Sequence, residues 1–315
     1  MTDSMLFIPH IKVHNANALS SPFTIGFPAM TAWLGAVHAL QRKLNEQDVS
    51  ASFDAVGVVS HQFDLQTYKG PGDYESSIIG TGNPLEPAPK KDKPKGNAER
   101  SSFIEEPRCH LEASLVIQYS GIDKLEETAV SEKISHYLNS RIKIAGGDIL
   151  GFEPPTFYRN FDFLKPHLMP GYALIERREL MVEAMKQGQD ALDALLDYLA
   201  IHHRCEQQEK NGELTVTWTS QRKAIGNDEK RGWIVPIATG FHGISEVGEA
   251  KNQRNPEIPH RFAEAVVTLG EFRMAYKLNS LEELLWRYHY DADNNLYLCQ
   301  QSQNDPQTLL SEDGF

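Results

Sequence analysis

Apolar residues recur along this chain at two different spacings, and each switch between them marks a new element. Leu6 to Val13 (LFIPHIKV) is rich in β-formers with a partial period of two and predicts a strand, Pro9 pointing to an edge position or an irregularity. The polar stretch His14 to Ser21 (HNANALSS) follows as a loop dense in Asn and Ser. From Pro28 the period changes. Met30, Trp33, Leu34, Val37, Leu40 and Leu44 step by three and four, with Arg42 and Lys43 in the last turns, where cations suit a helix end. Phe53 to Phe63 predicts a second strand. Arg108 to Tyr119 predicts a third, alternating at Cys109, Leu111, Ala113, Leu115 and Ile117. Between them, residues 66–106 break the pattern with GPGD, GTGNP and PAPKKDKPKGN, an excursion rather than core. Asp123 to Ile142 predicts a helix with Val130, Ile134, Tyr137, Leu138 and Ile142 on one face. AGGDI (145–149) is a glycine turn, and Tyr172 to Ile175 predicts a strand after a Pro- and aromatic-rich passage.

The order β, α, β, insertion, β, α, glycine loop, β predicts an α+β protein. Its core, residues 1–178, is a ferredoxin-like βαββαβ unit of the kind found in RNA-recognition modules, with the middle hairpin extended as a thumb at about 66–106. That fold hosts unrelated functions and does not by itself choose one. Residues 179–315 read as a partly helical and irregular region packing on the core. Glu179 to Ile201 predicts one or two helices, with Leu192, Leu195, Leu196 and Leu199 as the buried face of the second. Glu206 to Gly232 is charged and polar, with a short strand at Leu214 to Trp218. A β-rich run from Trp233 to Ile237 leads into ATGFHG, His260–Leu269 and Leu281–Tyr288 predict closing helices, and from Gln300 the chain is polar and should fray.

At 315 residues there is room for two domains, or one large domain with insertions. Hydrophobic residues make up 40% and charged residues 23%, ordinary globular usage that excludes collagen-like and wholly disordered chains. The net charge of −12 does not suit a free duplex-DNA binder, although it describes the whole surface and not a local groove. Cys109, Cys205 and Cys299 lie far apart with no CxxC pair, which argues against a disulfide scaffold or a thiolate zinc site. The N-terminus lacks the basic and apolar regions of a signal peptide, and the longest near-apolar stretch, Trp33 to Leu40, is too short to span a bilayer. These features predict a soluble, cytoplasmic protein.

Chemistry-bearing residues are scattered. His10 and His14 share a strand face, and His202, His203 and Cys205 stand at a predicted helix end, but no HExxH, GxSxG or clustered carboxylate set occurs. GTG at 80–82 lacks the third glycine and the helix of a dinucleotide loop. Nothing here calls for catalysis, a metal or a cofactor. Residues suited to RNA are easier to find. Asn15, Asn17, Ser20 and Ser21 can donate and accept at a strand end, and a continuing strand would send both amides from one face. Gly146 and Gly147 bare backbone N–H groups that suit phosphate. Lys90, Lys91, Lys93 and Lys95 form a basic tip, and Arg222, Lys223, Lys230 and Arg231 stand beside Trp233, a pairing suited to a stacked single strand. Each also has a plain structural reading: a capped turn, a tight turn, a solvated loop, a core tryptophan.

Several stretches together resemble one family. LFIPHIKVHNANALSSPFTIGFPAMTAWLGAVHALQRKL, RCHLEASLVIQYSG, RIKIAGGDIL, LMPGYALIERR, RGWIVPIATGFHGIS and LNSLEELLWRYH are similar, in order, to the second Csy subunits of the type I-F CRISPR surveillance complex, from about Met5 to Tyr297. The resemblance implies a non-catalytic RNA-binding subunit of the repeat-associated (RAMP) superfamily. Such a subunit clasps the 5′ handle of the CRISPR RNA, pairs with the large subunit and contacts the first backbone subunit, meeting target DNA only through the complex and no membrane. Arg108, Arg141, Arg222 and Arg231 become candidate charge partners or stacking planes, with His242 a further RNA contact. Two rivals stay open: a metal-independent endoribonuclease using His242 or His61 with a nearby Lys, and a scaffold that binds protein alone.

Overall fold

Antiparallel strands are the commonest regular element of the described residues. The computed structural model describes residues 4–79, 85–87, 98–100, 106–210, 213–223, 225, 232–251, 253 and 255–301. The chain starts with β1 (Met5–Asn17), a small hairpin of β2 (Leu19–Ser21) and β3 (Thr24–Ile25), helix α1 (Met30–Asn45) and β4 (Ser52–Leu65). The insertion holds β5 (Thr67–Tyr68), β6 (Ser77–Ile78), β7 (Leu85–Pro87) and β8 (Ala98–Arg100). Then come β9 (Arg108–Ser120), α2 (Glu127–Ser140), β10 (Lys143–Ile144), β11 (Gly147–Gly151), β12 (Thr156–Tyr158), the single turn α3 (Phe161–Leu164) and β13 (Tyr172–Glu176). Helices α4 (Arg178–Lys186) and α5 (Ala191–Leu199) precede a hairpin of β14 (His202–Lys210) and β15 (Glu213–Gln221). Strands β16 (Trp233–Gly243), β17 (Ala263–Met274), β18 (Trp286–Asp291) and β19 (Leu296–Gln301) complete it.

Eleven strands share one sheet, in the order β10-β11-β1-β9-β4-β13-β17-β16-β19-β18, with β12 also on β1. Every pairing is antiparallel. The last strand in that order returns to β4 through Trp286 opposite Val56, so the path from β4 through β13 to β18 closes into a ring. Trp286 is fully buried and its indole N–H donates to the Leu174 carbonyl at 2.9 Å, which satisfies the one polar atom of a large apolar side chain.

The alternating residues of β9 and the three-to-four stepping residues of α1 and α2 meet in one core cluster that includes Trp33, Leu40, Leu111, Leu115, Ile134 and Leu138. The opposite face is covered at one end by a second cluster, in which Leu281, Leu284 and Leu285 pack on Met5, Phe7 and Val59. Gly57 lets that turn sit down on the sheet, because a Cβ there would strike Leu284. A third cluster joins α4 and α5 to Ile234 and Leu269.

Several expectations need correction. Residues 14–17 are not loop but the end of β1, and Pro9 marks an irregularity, not an edge: it lies at a register shift in an interior strand flanked by β9 and by β11 and β12. Two register shifts, between Ile8 and Ile11 and between Val13 and Ala16, absorb the irregular residues His10 (φ 51°) and Asn15 (φ 60°) as bulges. The strand at Tyr172 stands next to β4 and β17; the neighbours of β1 on its outer side are β11 and β12. Residues 260–269 and 281–288 are not helices. The first region enters β17, where β-branched Val266, Val267 and Thr268 favour the pleat, and the second is a turn leading into β18. Leu281, Leu284 and Leu285 have helical spacing because that turn caps the second cluster. The polar 206–232 region contains not one short strand but the hairpin of β14 and β15, paired from His202–Gln221 to Lys210–Glu213. In α5 the buried positions are Ala194 and Tyr198, whereas Leu192 and Leu196 are more than half exposed. Small Ala184 and Ala194 permit the close approach of α4 and α5. Residues 179–301 thus contribute four strands to the main sheet besides their two helices. The basic tip at Lys90–Lys95, and the chain after Gln301, lie outside the described residues.

Candidate nucleic-acid interface

Five segments converge at one rim of the sheet: the end of β1, the β2–β3 hairpin, the start of α1, the first residue of β9 and the turn between β10 and β11. They enclose a cavity of about 440 Å³ lined by Asn17, Ser20, Ala29, Ala32, Arg108 and Gly146, among others. Backbone bonds hold the rim in place. Asn17 N–H donates to the Ala145 carbonyl at 2.8 Å, and Ala18 N–H to the Pro107 carbonyl at 2.9 Å.

The β10–β11 turn has two central residues, Ala145 (φ 48°) and Gly146 (φ 74°), both left-handed as a two-residue hairpin requires. A Cβ at Gly146 would meet only Arg108 Nη1, at 3.9 Å, so this peptide is open toward the arginine. Gly147 is different: a Cβ there would lie 2.8 Å from the Ala16 nitrogen, the His14 oxygen and Val13 Cγ1. Gly147 therefore serves the close approach of β11 to β1.

Arg108 pairs through Nη2 with Glu106 and reaches the Asn15 carbonyl with Nη1 at 3.5 Å. Its Nε is buried with no hydrogen-bond partner among the described residues. Helix α1 opens onto the same cavity at Ala29 and Ala32, with no side-chain cap and no acidic residue in its first turn. The helix's own first turn thus supplies no side chain to compensate the positive end of its dipole, and Glu106 is the one carboxylate among the described residues that line the cavity.

The polar side chains of the opening loop are partly spent on the loop itself. Asn17 closes a turn on Leu19, accepting its N–H at 3.1 Å and donating to its carbonyl at 3.0 Å. Ser21 is buried and bonds Thr24 Oγ1 at 2.7 Å, while Ser20 bonds the same hydroxyl at 2.9 Å from a half-buried position on the cavity wall. The bulge at Asn15 separates the two amides that an unbroken strand would have aligned. Asn15 N–H donates to His110 Nδ1 at 3.2 Å and its Oδ1 accepts from Gln66 Nε2 at 3.1 Å.

Of the other candidates, Arg141 is exposed at the C-terminal end of α2, Arg222 is exposed after β15, and Arg231 lies outside the described residues. Lys223 is engaged elsewhere, paired with Asp197 at 2.5 Å and 4.3 Å over the Tyr198 ring. His242 stands on β16, 3.5 Å from Glu264. Trp233 is 59% exposed, not core, and lines a separate cavity. The structure thus brings Asn17, Ser20, Arg108 and Gly146 onto one cavity, with Asn15, Ser21 and Gly147 beside it, and leaves Arg141, Arg222, Lys223, Trp233 and His242 apart.

Sequence reasoning missed two stacked imidazole pairs, His10 with His61 and His14 with His110, each with ring centroids 4.3 Å apart. Only the cross-strand register brings these residues together. His61 Nδ1–H donates to the Pro170 carbonyl at 2.6 Å, so Nε2 accepts from the Ser114 hydroxyl at 2.7 Å. Burial, with His10 alongside, lowers the pKa of His61 against the opposing pull of the Pro170 bond, and the ring stays neutral. Burial likewise pushes the Cys109 thiol up to about 12 despite neighbouring Arg108. Among the described residues no three His, Cys, Asp or Glu side chains gather as a metal site, and no helix is long and apolar enough to cross a membrane.

A polar cradle at the rim of a largely antiparallel α/β sheet is compatible with many proteins, but comparison with known families narrows the class to the CRISPR-associated proteins. The family model described as CRISPR-associated protein (Cas_Csy2) matches residues 6–299, almost the full described chain. The chain belongs to the Cas_Csy2 family, and with it to the subunits of the type I-F CRISPR surveillance complex. It is similar to the CRISPR-associated protein Csy2 of Pseudomonas aeruginosa (strain UCBPP-PA14), at 29% identity over 326 residues covering 94% of each chain.

Proposed function

We propose that this chain is a non-catalytic RAMP subunit that holds the 5′ handle of the CRISPR RNA, pairs with the large subunit and touches the first backbone subunit. The observation that carries this reading is the cradle. An arginine whose Nη1 lies toward Gly146 and whose charge is shared with Glu106 on the same wall, an open left-handed glycine peptide and an uncapped helix start line one cavity, and the guanidinium, the bare peptide and the helix start favour an anion such as a backbone phosphate. Ser20 adds a hydroxyl on the wall that can serve a 2′-OH.

A ferredoxin-like core fits this role. The neighbours β11-β1-β9-β4, with α1 and α2 sharing one core cluster, support such a unit in which β11 stands in the fourth-strand place. The inserted segment between β4 and β9 acts as the thumb. His61 has both ring nitrogens engaged in the fold, which weakens the endoribonuclease alternative.

The test is binding of handle RNA by the full chain, alone and with the large subunit, followed by gel analysis of the RNA. The proposal expects saturable binding with the RNA left intact. Cleavage would favour the endoribonuclease, and partner pull-down without RNA retention would favour a protein-only scaffold.

A further inference from the structure

A second cavity, of about 310 Å³, lies on the other side of the β2–β3 hairpin from the cradle's Leu19 and Ser20, reached through Ile25 and Gly26. The volume is at the small end of the range for ligand sites. Its walls are aromatic: Phe27, Phe63, Tyr172, Trp233 and Phe272 all line it. Three of these are well exposed, Trp233 at 59%, Tyr172 at 40% and Phe63 at 38%, which leaves three large apolar rings in water at one place. The rings are not closed into a sandwich. Trp233 and Phe272 meet at 53° with centroids 5.8 Å apart, and Phe27 stands edge-on to Phe272 at 79°, so the faces are not consumed by stacking on one another.

The polar part of the lining is neutral. Ser60 and Gln62 supply a hydroxyl and an amide that form no hydrogen bond to another described side chain, and among the described residues no Asp, Glu, Lys or Arg lines the cavity. His61 is held neutral, its nitrogens committed to Pro170 and Ser114. Among the described lining residues an ammonium, guanidinium or phosphate would find no counter-charge. A flat, uncharged ring with donors and acceptors on its edge finds aromatic faces, a hydroxyl and an amide together.

We propose that this cavity is a stacking pocket for a single unpaired nucleobase of the RNA whose backbone lies in the cradle across the β2–β3 hairpin. The proposal rests on the RNA-binding reading above and adds to it the place where a base leaves the strand. Trp233 supplies the stacking face, and Ser60 with Gln62 meet the base edge. Phosphate contacts in the cradle carry no sequence information, so this pocket is where base identity can be sensed.

The experiment uses the full chain, handle RNAs carrying 2-aminopurine at one position at a time, and the variants Trp233→Ala and Trp233→Phe. Trp233 is more than half exposed, so neither change should unfold the protein, and a thermal melt checks this. The wild type should quench the probe strongly at one position. Trp233→Ala should lose that quenching and weaken binding by about 5- to 150-fold, the range for losing one base stack of about 1–3 kcal/mol. The salt slope should not change, because no charge is removed. Trp233→Phe, which keeps an aromatic face, should retain most of the quenching. Wild-type binding with no quenched position, or a Trp233→Ala variant that binds and quenches like wild type, overturns the pocket while leaving the RNA reading intact. Trp233→Ala releasing the large subunit with RNA affinity unchanged overturns it too, and assigns the cavity to a protein side chain. A wild-type chain with no RNA affinity in any context overturns the RNA reading, and the pocket with it.

Discussion

Glu176 and Gln301 exchange two hydrogen bonds across 125 residues of sequence: Glu176 N–H donates to Gln301 Oε1, and Gln301 N–H to Glu176 Oε2, each at 2.9 Å. Both residues are buried. Arg178 adds an ion pair to the carboxylate, and Gln301 Nε2 donates to the Glu283 carbonyl at 2.9 Å. The end of β19 is thereby fastened to the end of β13.

Replacing Gln301 by Ala would strand a buried backbone N–H on β13 and a carbonyl at Glu283. Leaving each such group unpaired costs about 1–3 kcal/mol, so a destabilisation of at least about 2 kcal/mol is expected in denaturant unfolding. A change below about 0.5 kcal/mol, the range of ordinary surface substitutions, would show that the pair contributes nothing.

The two glycines of the β10–β11 hairpin should respond unequally to alanine. At Gly146 the penalty is the left-handed backbone alone, roughly 1–2 kcal/mol, since the side chain has room. At Gly147 the new methyl would press on the β1 backbone, and β11 must shift away from it. The melting temperature of Gly147→Ala should therefore fall further than that of Gly146→Ala; the opposite order would contradict the geometry.

Arg108→Gln tests the cradle. If Arg108 neutralises one phosphate, the slope of log affinity against log salt should flatten by about 0.7 for single-stranded RNA. Asn17→Ala, in contrast, removes two local bonds to Leu19 and should act on stability, by about 1 kcal/mol per bond. Binding isotherms at four salt concentrations, with a melt for each variant, separate the charge effect from the turn effect.

His61 makes stability depend on pH. Its folded pKa is lowered from 6.5, chiefly by burial, so the unfolded chain takes up the proton more readily. Its contribution is full above about pH 6.5 and is lost as the pH falls through that value toward the folded pKa. His10, Glu112 and Glu153 face the same ring and shape the curve. His61→Gln can still donate to Pro170 and accept from Ser114, so it should flatten the stability profile between pH 7 and 5. A profile as steep as that of the wild type would assign the titration to another group.

Much of the framework was legible wherever one face of an element is buried and the other is wet. All six apolar positions read in α1 are buried, as are the five alternating positions of β9. The reading failed where local spacing was misleading. Leu281, Leu284 and Leu285 copy a helical period in a turn, and the bulges at His10 and Asn15 appear only once a partner strand fixes the register. The same holds for the cradle. Asn17, Ser20, Arg108 and Gly146 could be nominated by chemistry, but Arg108 is brought to Gly146 by strand pairing, and the aromatic cavity is assembled from five separate segments.

The ring closure at Trp286 has a consequence for biosynthesis. Trp286 bonds Leu174 across 112 residues; at roughly 5–20 residues per second on a ribosome, the partner tryptophan is made on the order of ten seconds after Leu174. Until then β4 keeps an unfilled flank and the interior of the ring stays wet, a nascent state with the unpaired edges on which aggregation begins. Translation speed and chaperone supply, more than final stability, should set the soluble yield of this chain.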